Sequence, residues 1–121
     1  MTALVVAVIV LFLGMSAVAF VRPERIVATV GTTELTRDGR NEVRAVYGGF
    51  GLAVALLLGA SFVLPTMRAG ILISVAASIF GMAAGRIVSV AVDGAPGFYP
   101  WLFLVGEVAM TVALVAAVVV A

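Results

Sequence analysis

Residues Thr2 to Val21 read TALVVAVIVLFLGMSAVAFV, a stretch without a single charged side chain. A transmembrane helix needs about 20 mainly apolar residues, so this stretch predicts a first membrane span. Arg22 and Pro23 follow directly, and a proline restricts the residue before it, which predicts the end of the span at this point. A signal peptide is the alternative, because Ala17-Val18-Ala19 has the small residues of a cleavage site. The lack of a basic residue before the apolar run argues against it.

The rest of the 121-residue chain has the same apolar character. Its residues are 64% hydrophobic and 11% charged, whereas soluble domains are about 45–50% apolar and about 25% charged. Further spans are predicted at about residues 45–64, 70–92 and 100–121, which makes the chain a single integral membrane domain. The predicted fold class is an all-α membrane protein, a four-transmembrane-helix bundle.

A polar connection, residues 22–44, separates the first two spans. It holds nine of the thirteen charged residues, and five of the nine are Arg. The positive-inside rule therefore predicts that the first and third connections are cytoplasmic and that both termini lie outside. Asp38 is predicted to cap the helix that leads into the second span. Most charges in this connection are expected to form an ordinary solvated face, namely Glu24, Arg25, Glu34, Arg37 and Asp38.

Three missing residue types restrict the chemistry. The chain has no Cys, no His and no Lys, which excludes thiolate chemistry, imidazole bases, typical zinc ligands and Schiff bases. It also has no phosphate-binding loop, no dinucleotide fingerprint and no basic nucleic-acid patch, and its net charge is +1. The sequence therefore predicts no cofactor, no metal ion and no nucleic-acid partner. Any proton chemistry would depend on carboxylates, tyrosines and water.

Two charged residues interrupt apolar spans, Arg86 in the third and Glu107 in the fourth. An isolated charge at mid-membrane costs at least about 2.5–3.5 kcal/mol, so a compensating partner is expected. Arg86 precedes Asp93 by seven residues and Glu107 follows Pro100 by seven. Both should therefore lie about 10 Å inward from the third connection, at 1.5 Å per residue. We predict an ion pair between them.

Other polar residues are expected near the same end of the bundle. Ser89 and Asp93 share a helical face with Arg86, and Arg44 and Tyr47 share a face of the second span. The sequence predicts that these side chains form one polar vestibule, with members Arg86, Glu107, Asp93, Arg44, Tyr47, Glu42, Asn41 and Ser89. The alternative is that the charges only fix helix register, as a buried polar lock.

Two glycine clusters predict close helix packing. Gly81-x-x-x-Gly85 lies in the third span and Gly48-Gly49-Phe50-Gly51 in the second. Small residues allow two helix backbones to approach closely in a membrane. Packing inside the bundle or dimerisation is the expected use.

An ordered set of motifs resembles a known family. The motifs are Arg44-Ala45-Val46-Tyr47-Gly48-Gly49, then Gly85-Arg86 with Ser89, then Asp93-Gly94-Ala95-Pro96, then Glu107. Nearly the whole chain is similar to a family of small bacterial four-span membrane proteins described only as a domain of unknown function. The resemblance implies an integral bundle in the bacterial plasma membrane, and it brings no activity. Its characteristic polar residues would be Asn41, Glu42, Arg44, Tyr47, Arg86, Asp93 and Glu107.

The small multidrug transporters are a second comparison, with four spans and a similar length. They carry an essential Glu in the first span, and here that span has no charge. The resemblance to them is therefore one of architecture alone.

Three functions remain open at the level of sequence. The leading hypothesis is a non-enzymatic protein that binds a lipid-like or small anionic ligand, or that serves as an accessory subunit of a larger membrane complex. The second is a membrane enzyme acting on a lipid or isoprenoid, with Glu107 or Asp93 as acid or base and Arg86 stabilising negative charge. The third is a proton-coupled transporter that works as a homodimer, in which Glu107 alternates between pairing with Arg86 and binding a proton. Membrane lipids are expected partners in every case.

Overall fold

The computed structural model describes residues 1–120, and within that range every regular element is a helix. A short helix, α2, occupies Pro23–Ala28 in the first connection. Four other helices are long and apolar enough to cross a membrane: α1 (Thr2–Val21), α3 (Arg37–Ala60), α4 (Arg68–Asp93) and α5 (Phe98–Val120). The predicted all-α, four-helix fold is confirmed.

Proline and glycine mark the ends of several helices. Pro23 is the first residue of α2, where its missing N–H costs no helical hydrogen bond. Pro100 lies in the first turn of α5 for the same reason. Gly94 follows α4 with φ +87°, a left-handed conformation that glycine adopts without steric cost. Pro23 thus lies in the first connection, Gly94 begins the third, and Pro100 follows the third within the first turn of α5.

The second spanning helix begins earlier and ends earlier than predicted. α3 runs from Arg37 to Ala60, so its first two turns lie inside the predicted polar connection. Its N-cap is Thr36, whose Oγ1 accepts a hydrogen bond from the N–H of Gly39 at 3.0 Å. The predicted cap by Asp38 is therefore wrong, because Asp38 lies within the first turn and a capping residue must precede it.

A π-helical segment, Arg44–Gly49, lies inside α3. It coincides with the Arg-x-x-Tyr-Gly-Gly motif of the sequence. The buried Ser16 hydroxyl on α1 donates a hydrogen bond to the carbonyl oxygen of Gly48 at 2.8 Å. A side chain that bonds to a helix carbonyl in this way can disturb the regular helical ladder, and π-bulges are often found at functional sites.

The helices form two antiparallel hairpins, α1 with α3 and α4 with α5. Facing pairs show the direction of each, since Gly48 lies against Phe20, and the Arg68 Nη1 donates to the carbonyl oxygen of Ala117 at 3.2 Å. The hairpins meet where α1 packs on α5 and α3 on α4. Residues from all four helices build one core, namely Val5, Val8, Phe12, Val54, Ala55, Leu58, Leu72, Val75, Ala76, Ile79, Leu114 and Ala117.

This core occupies only one end of the bundle. Its members come from the first part of α1 and α4 and from the last part of α3 and α5, which is the end near the 61–67 turn. Toward the opposite end, the buried residues pair within one hairpin, such as Ser16 with Gly48. The two hairpins therefore share their apolar core at one end and carry separate polar features at the other.

Candidate functional site

An ion pair joins α4 to α5 within the apolar part of the second hairpin. The Nε of Arg86 donates to both carboxylate oxygens of Glu107, with each N–O distance 2.9 Å. Glu107 is only 3% exposed, whereas the Arg86 side chain is 29% exposed. The predicted pairing of these two residues is present.

The surroundings fix the position of both groups. The guanidinium carbon of Arg86 lies 5.3 Å from the centre of the Phe103 ring, a cation–π distance. Phe103 precedes Glu107 by one helical turn, so ring and carboxylate hold the guanidinium from the same helix face. The Thr111 hydroxyl donates to the backbone carbonyl of Glu107 at 2.8 Å. Aromatic and anionic contacts thus hold one cation between two helices.

A cleft of about 430 Å³ opens beside this pair. Its lining combines Arg86 and Ser89 with apolar side chains, with Pro96 of the third connection and with Pro100 of the first turn of α5. The full set is Met82, Gly85, Arg86, Ser89, Val90, Pro96, Pro100, Trp101 and Leu104. Ligand pockets in proteins have volumes of about 300–1,000 Å³. Within residues 1–120, Nη1 and Nη2 of Arg86 donate to no acceptor. These two nitrogens therefore keep their capacity to donate hydrogen bonds.

Two other predicted site residues line a different cleft. Asn41 and Arg44 border a space of about 410 Å³ on α3, together with Arg37, Arg40 and Ala45. The two clefts have no lining residue in common. The single vestibule expected from the sequence is therefore divided between the two hairpins. Arg44 is held on α1 within the first hairpin, because its Nε donates to the carbonyl oxygen of Phe20 at 3.0 Å and the Arg44–Gly49 segment packs on the same helix.

The remaining predicted residues lie outside both clefts. Asp93 is exposed at the last position of α4, next to the turn that Gly94 forms. Glu42 and Tyr47 are exposed on α3. The structure thus brings Arg86, Glu107 and Ser89 together and leaves Asp93, Glu42 and Tyr47 apart from them.

Residues 1–118 match a family described as a domain of unknown function, DUF4345. The chain belongs to the DUF4345 family. No curated protein and no solved structure matches it. The uncharacterised family expected from the sequence motifs is consistent with this result, and membership in DUF4345 assigns no activity.

The two glycine clusters of this DUF4345 chain differ in use. A Cβ at Gly48 would lie 3.0 Å from the Phe20 ring, and one at Gly51 would lie 3.0 Å from the end of Met15. Gly81 and Gly85 have open space at that position. Close helix approach in the described bundle therefore depends on the cluster in α3.

Several residues of the DUF4345 clefts were not predicted as site residues from the sequence. Trp101 and Leu104 line the α4–α5 cleft. Arg37 and Arg40 line the α3 cleft, whereas the sequence predicts a solvated face for Arg37. The helical spacing of Arg37, Arg40 and Arg44 is the signal that the sequence offers, and it requires a helix that begins at Arg37, before the predicted cap at Asp38.

Proposed function

We propose that this chain is a non-enzymatic, multi-pass protein of a bacterial plasma membrane whose α4–α5 cleft binds a small anionic, lipid-like molecule. The observation that carries the proposal is the state of the Arg86 guanidinium. Its Nε is held by Glu107 at 2.9 Å, while Nη1 and Nη2 donate to no acceptor within residues 1–120. An arginine anchored through one nitrogen can present the others to a carboxylate or phosphate.

The rest of the cleft fits the two parts of an amphipathic ligand. Trp101 and Leu104 on α5 and Met82 on α4 offer apolar surface to a tail. The Ser89 hydroxyl lies in the same lining and can donate a further hydrogen bond to a headgroup. Small-molecule sites are usually lined by apolar side chains with a small number of polar groups among them.

The enzyme and transporter hypotheses have less support from the geometry. Either function would require the Glu107 carboxylate to accept and release a proton. Glu107 is 3% exposed, and both of its carboxylate oxygens accept from Arg86. These contacts favour a positioning role for Glu107, in which the carboxylate holds the Nε of Arg86 beside the cleft.

The test is to extract the full chain with its surrounding membrane in polymer nanodiscs and to identify co-purifying molecules by mass spectrometry. The main variant is R86M/E107L, because exchanging a buried pair for apolar residues of similar size is often neutral or stabilising. Trp101→Ala removes a wall of the cleft. Phe98→Ala is its matched control, since Phe98 lies near Trp101 on α5, is 71% exposed and is not part of the cleft lining.

We expect the wild type and Phe98→Ala to retain an anionic molecule enriched over the bulk lipid. R86M/E107L should lose it, and Trp101→Ala should retain less. If the wild type carries no enriched molecule, or if R86M/E107L retains it unchanged, the binding proposal is wrong and the pair acts as a structural lock. Glu107→Gln, assayed for proton-driven uptake in proteoliposomes, tests the transporter alternative separately.

A further inference from the structure

The α3 cleft is a second polar site, separate from the one just described. Arg37, Arg40, Asn41 and Arg44 line it, and its volume is about 410 Å³. These four residues have spacings of three, four and seven from Arg37, so they lie on one face of the helix. We propose that this basic stripe binds the phosphate of an anionic phospholipid headgroup at the membrane surface.

The two arginines nearest the bundle are held in place through single nitrogens. The Nε of Arg44 donates to the carbonyl oxygen of Phe20 at 3.0 Å, near the end of α1. The Nη1 of Arg40 donates to the Glu24 carboxylate at 3.1 Å. Their other guanidinium nitrogens donate to no acceptor within residues 1–120. The side chains are therefore oriented in advance, and their free N–H groups can form the forked contact that phosphate favours.

The charges around the cleft leave it basic. Glu24 offsets one of the three arginines, through its pair with Arg40. Asp38 and Glu42 lie about 100° and about 140° around the helix from Arg37, and neither lines the cleft. The stripe therefore presents an excess of positive charge on one face of α3.

The position along the helix matches a lipid headgroup. From Ala45 to Leu64 the chain has no charged residue, so hydrocarbon contact begins where the stripe ends. Arg37 to Arg44 extends about 10 Å along the helix axis, and one headgroup layer is about 5–8 Å thick. Because basic segments next to a span are attracted to anionic lipids of the cytoplasmic leaflet, a phospholipid phosphate is a better fit than free phosphate.

The experiment uses the full chain in nanodiscs that contain phosphatidylcholine and phosphatidylglycerol in equal amounts, with native mass spectrometry to count the lipids that remain bound. Arg37→Gln is the main variant, because the Arg37 side chain forms no hydrogen bond or ion pair within residues 1–120. We therefore expect its loss to leave the fold intact. Arg25→Gln is the matched control. It removes the same charge from the same connection, and Arg25 does not line the cleft.

We expect the wild type and Arg25→Gln to retain phosphatidylglycerol in preference to phosphatidylcholine. Arg37→Gln should lower that preference about tenfold, the effect of losing one charge-assisted contact. An equal loss of the phosphatidylglycerol preference in Arg37→Gln and Arg25→Gln would overturn the proposal in favour of a diffuse surface potential. An unchanged preference in both variants would overturn it outright. Displacement of the lipid by inorganic phosphate, but not by chloride at the same ionic strength, would identify a free-phosphate site instead. These results do not depend on Arg86, so this proposal and the α4–α5 binding site can fail independently.

Discussion

The two hairpins of the bundle are held together by different interactions. In α1–α3, Gly48 lets the helices approach closely, and a neutral hydrogen bond from Ser16 joins them. In α4–α5, a charged pair between Arg86 and Glu107 joins the helices in their apolar part. In the first hairpin, the arginines of α3 lie in the first two turns of that helix. In the second hairpin, Glu107 is buried and its charge requires a partner. We expect the second hairpin to be the more sensitive to a single polar substitution.

The largest effect is expected for Glu107→Ala. It leaves the Arg86 cation without its partner in an apolar setting, which costs up to about 3–5 kcal/mol for a buried pair. The 29% exposure of the Arg86 side chain should keep the loss toward the lower end of that range. The free energy of unfolding, measured by denaturant titration in detergent micelles, gives the value.

R86M/E107L is the control for this loss. If the cost of Glu107→Ala comes from an unpaired cation, the double variant should recover most of the stability. Equal destabilisation of both variants would show that packing at these positions, and not charge, is what matters.

The ion pair could be predicted from the sequence, whereas the single vestibule could not. A charge in an apolar span needs a partner, and a short connection places Arg86 and Glu107 at one depth. That argument uses only two neighbouring helices. The placement of Arg44 relative to Arg86 depends on how the two hairpins pack against each other. The apolar spans contain no sequence pattern that predicts this packing.

The second prediction concerns close packing in the first hairpin. Gly48→Val should destabilise the protein by about 1–3 kcal/mol, the usual cost of overpacking. Its new atoms would press on the Phe20 ring, which lies 3.0 Å from the position of a Cβ. Gly59→Val is the matched control on the same helix, because nothing lies within 4 Å of its Cβ position. The free energy of unfolding in micelles should be lower for Gly48→Val than for Gly59→Val, and equal values would contradict the packing role of Gly48.

The start of α3 explains why the basic stripe was missed. The sequence placed the second span at residues 45–64, because hydropathy identifies the apolar part of a helix and not its polar extension. The helix that leads into this span is predicted to begin only after Asp38, so Arg37 is predicted to lie before it, and the spacing from Arg37 to Arg44 carries no meaning in that prediction. The actual cap, Thr36, fits the sequence preference for a helix N-cap as well as Asp38 does, so only the structure distinguishes them.

A smaller effect is expected for Ser16→Ala. The hydroxyl is buried and donates to Gly48 in the neighbouring helix at 2.8 Å. Hydrogen bonds between membrane helices contribute about 0.6 kcal/mol on average and up to about 1.7 kcal/mol, so a loss in that range should appear in the denaturant titration. Ser78→Ala is the control, since the Ser78 hydroxyl bonds only within its own helix and is exposed. Equal stability of the two variants would show that the Ser16 bond adds nothing.

The smallest effect concerns the exposed pair of Glu24 and Arg40. A backbone hydrogen bond at Glu24, and then the charge of Arg40, hold the pKa of the Glu24 carboxyl below its ordinary value of 4.5. A lowered pKa in the folded state stabilises the protein above the unfolded pKa, and this contribution is lost as the pH falls through the folded value. Lowering the pH below about 4.5 should therefore reduce the unfolding free energy slightly more in the wild type than in Glu24→Gln. Glu42→Gln is the control, because it removes the same charge from an exposed side chain that has no ion pair within residues 1–120. If the pH dependence of the unfolding free energy changes equally in both variants, Glu24 has no specific role.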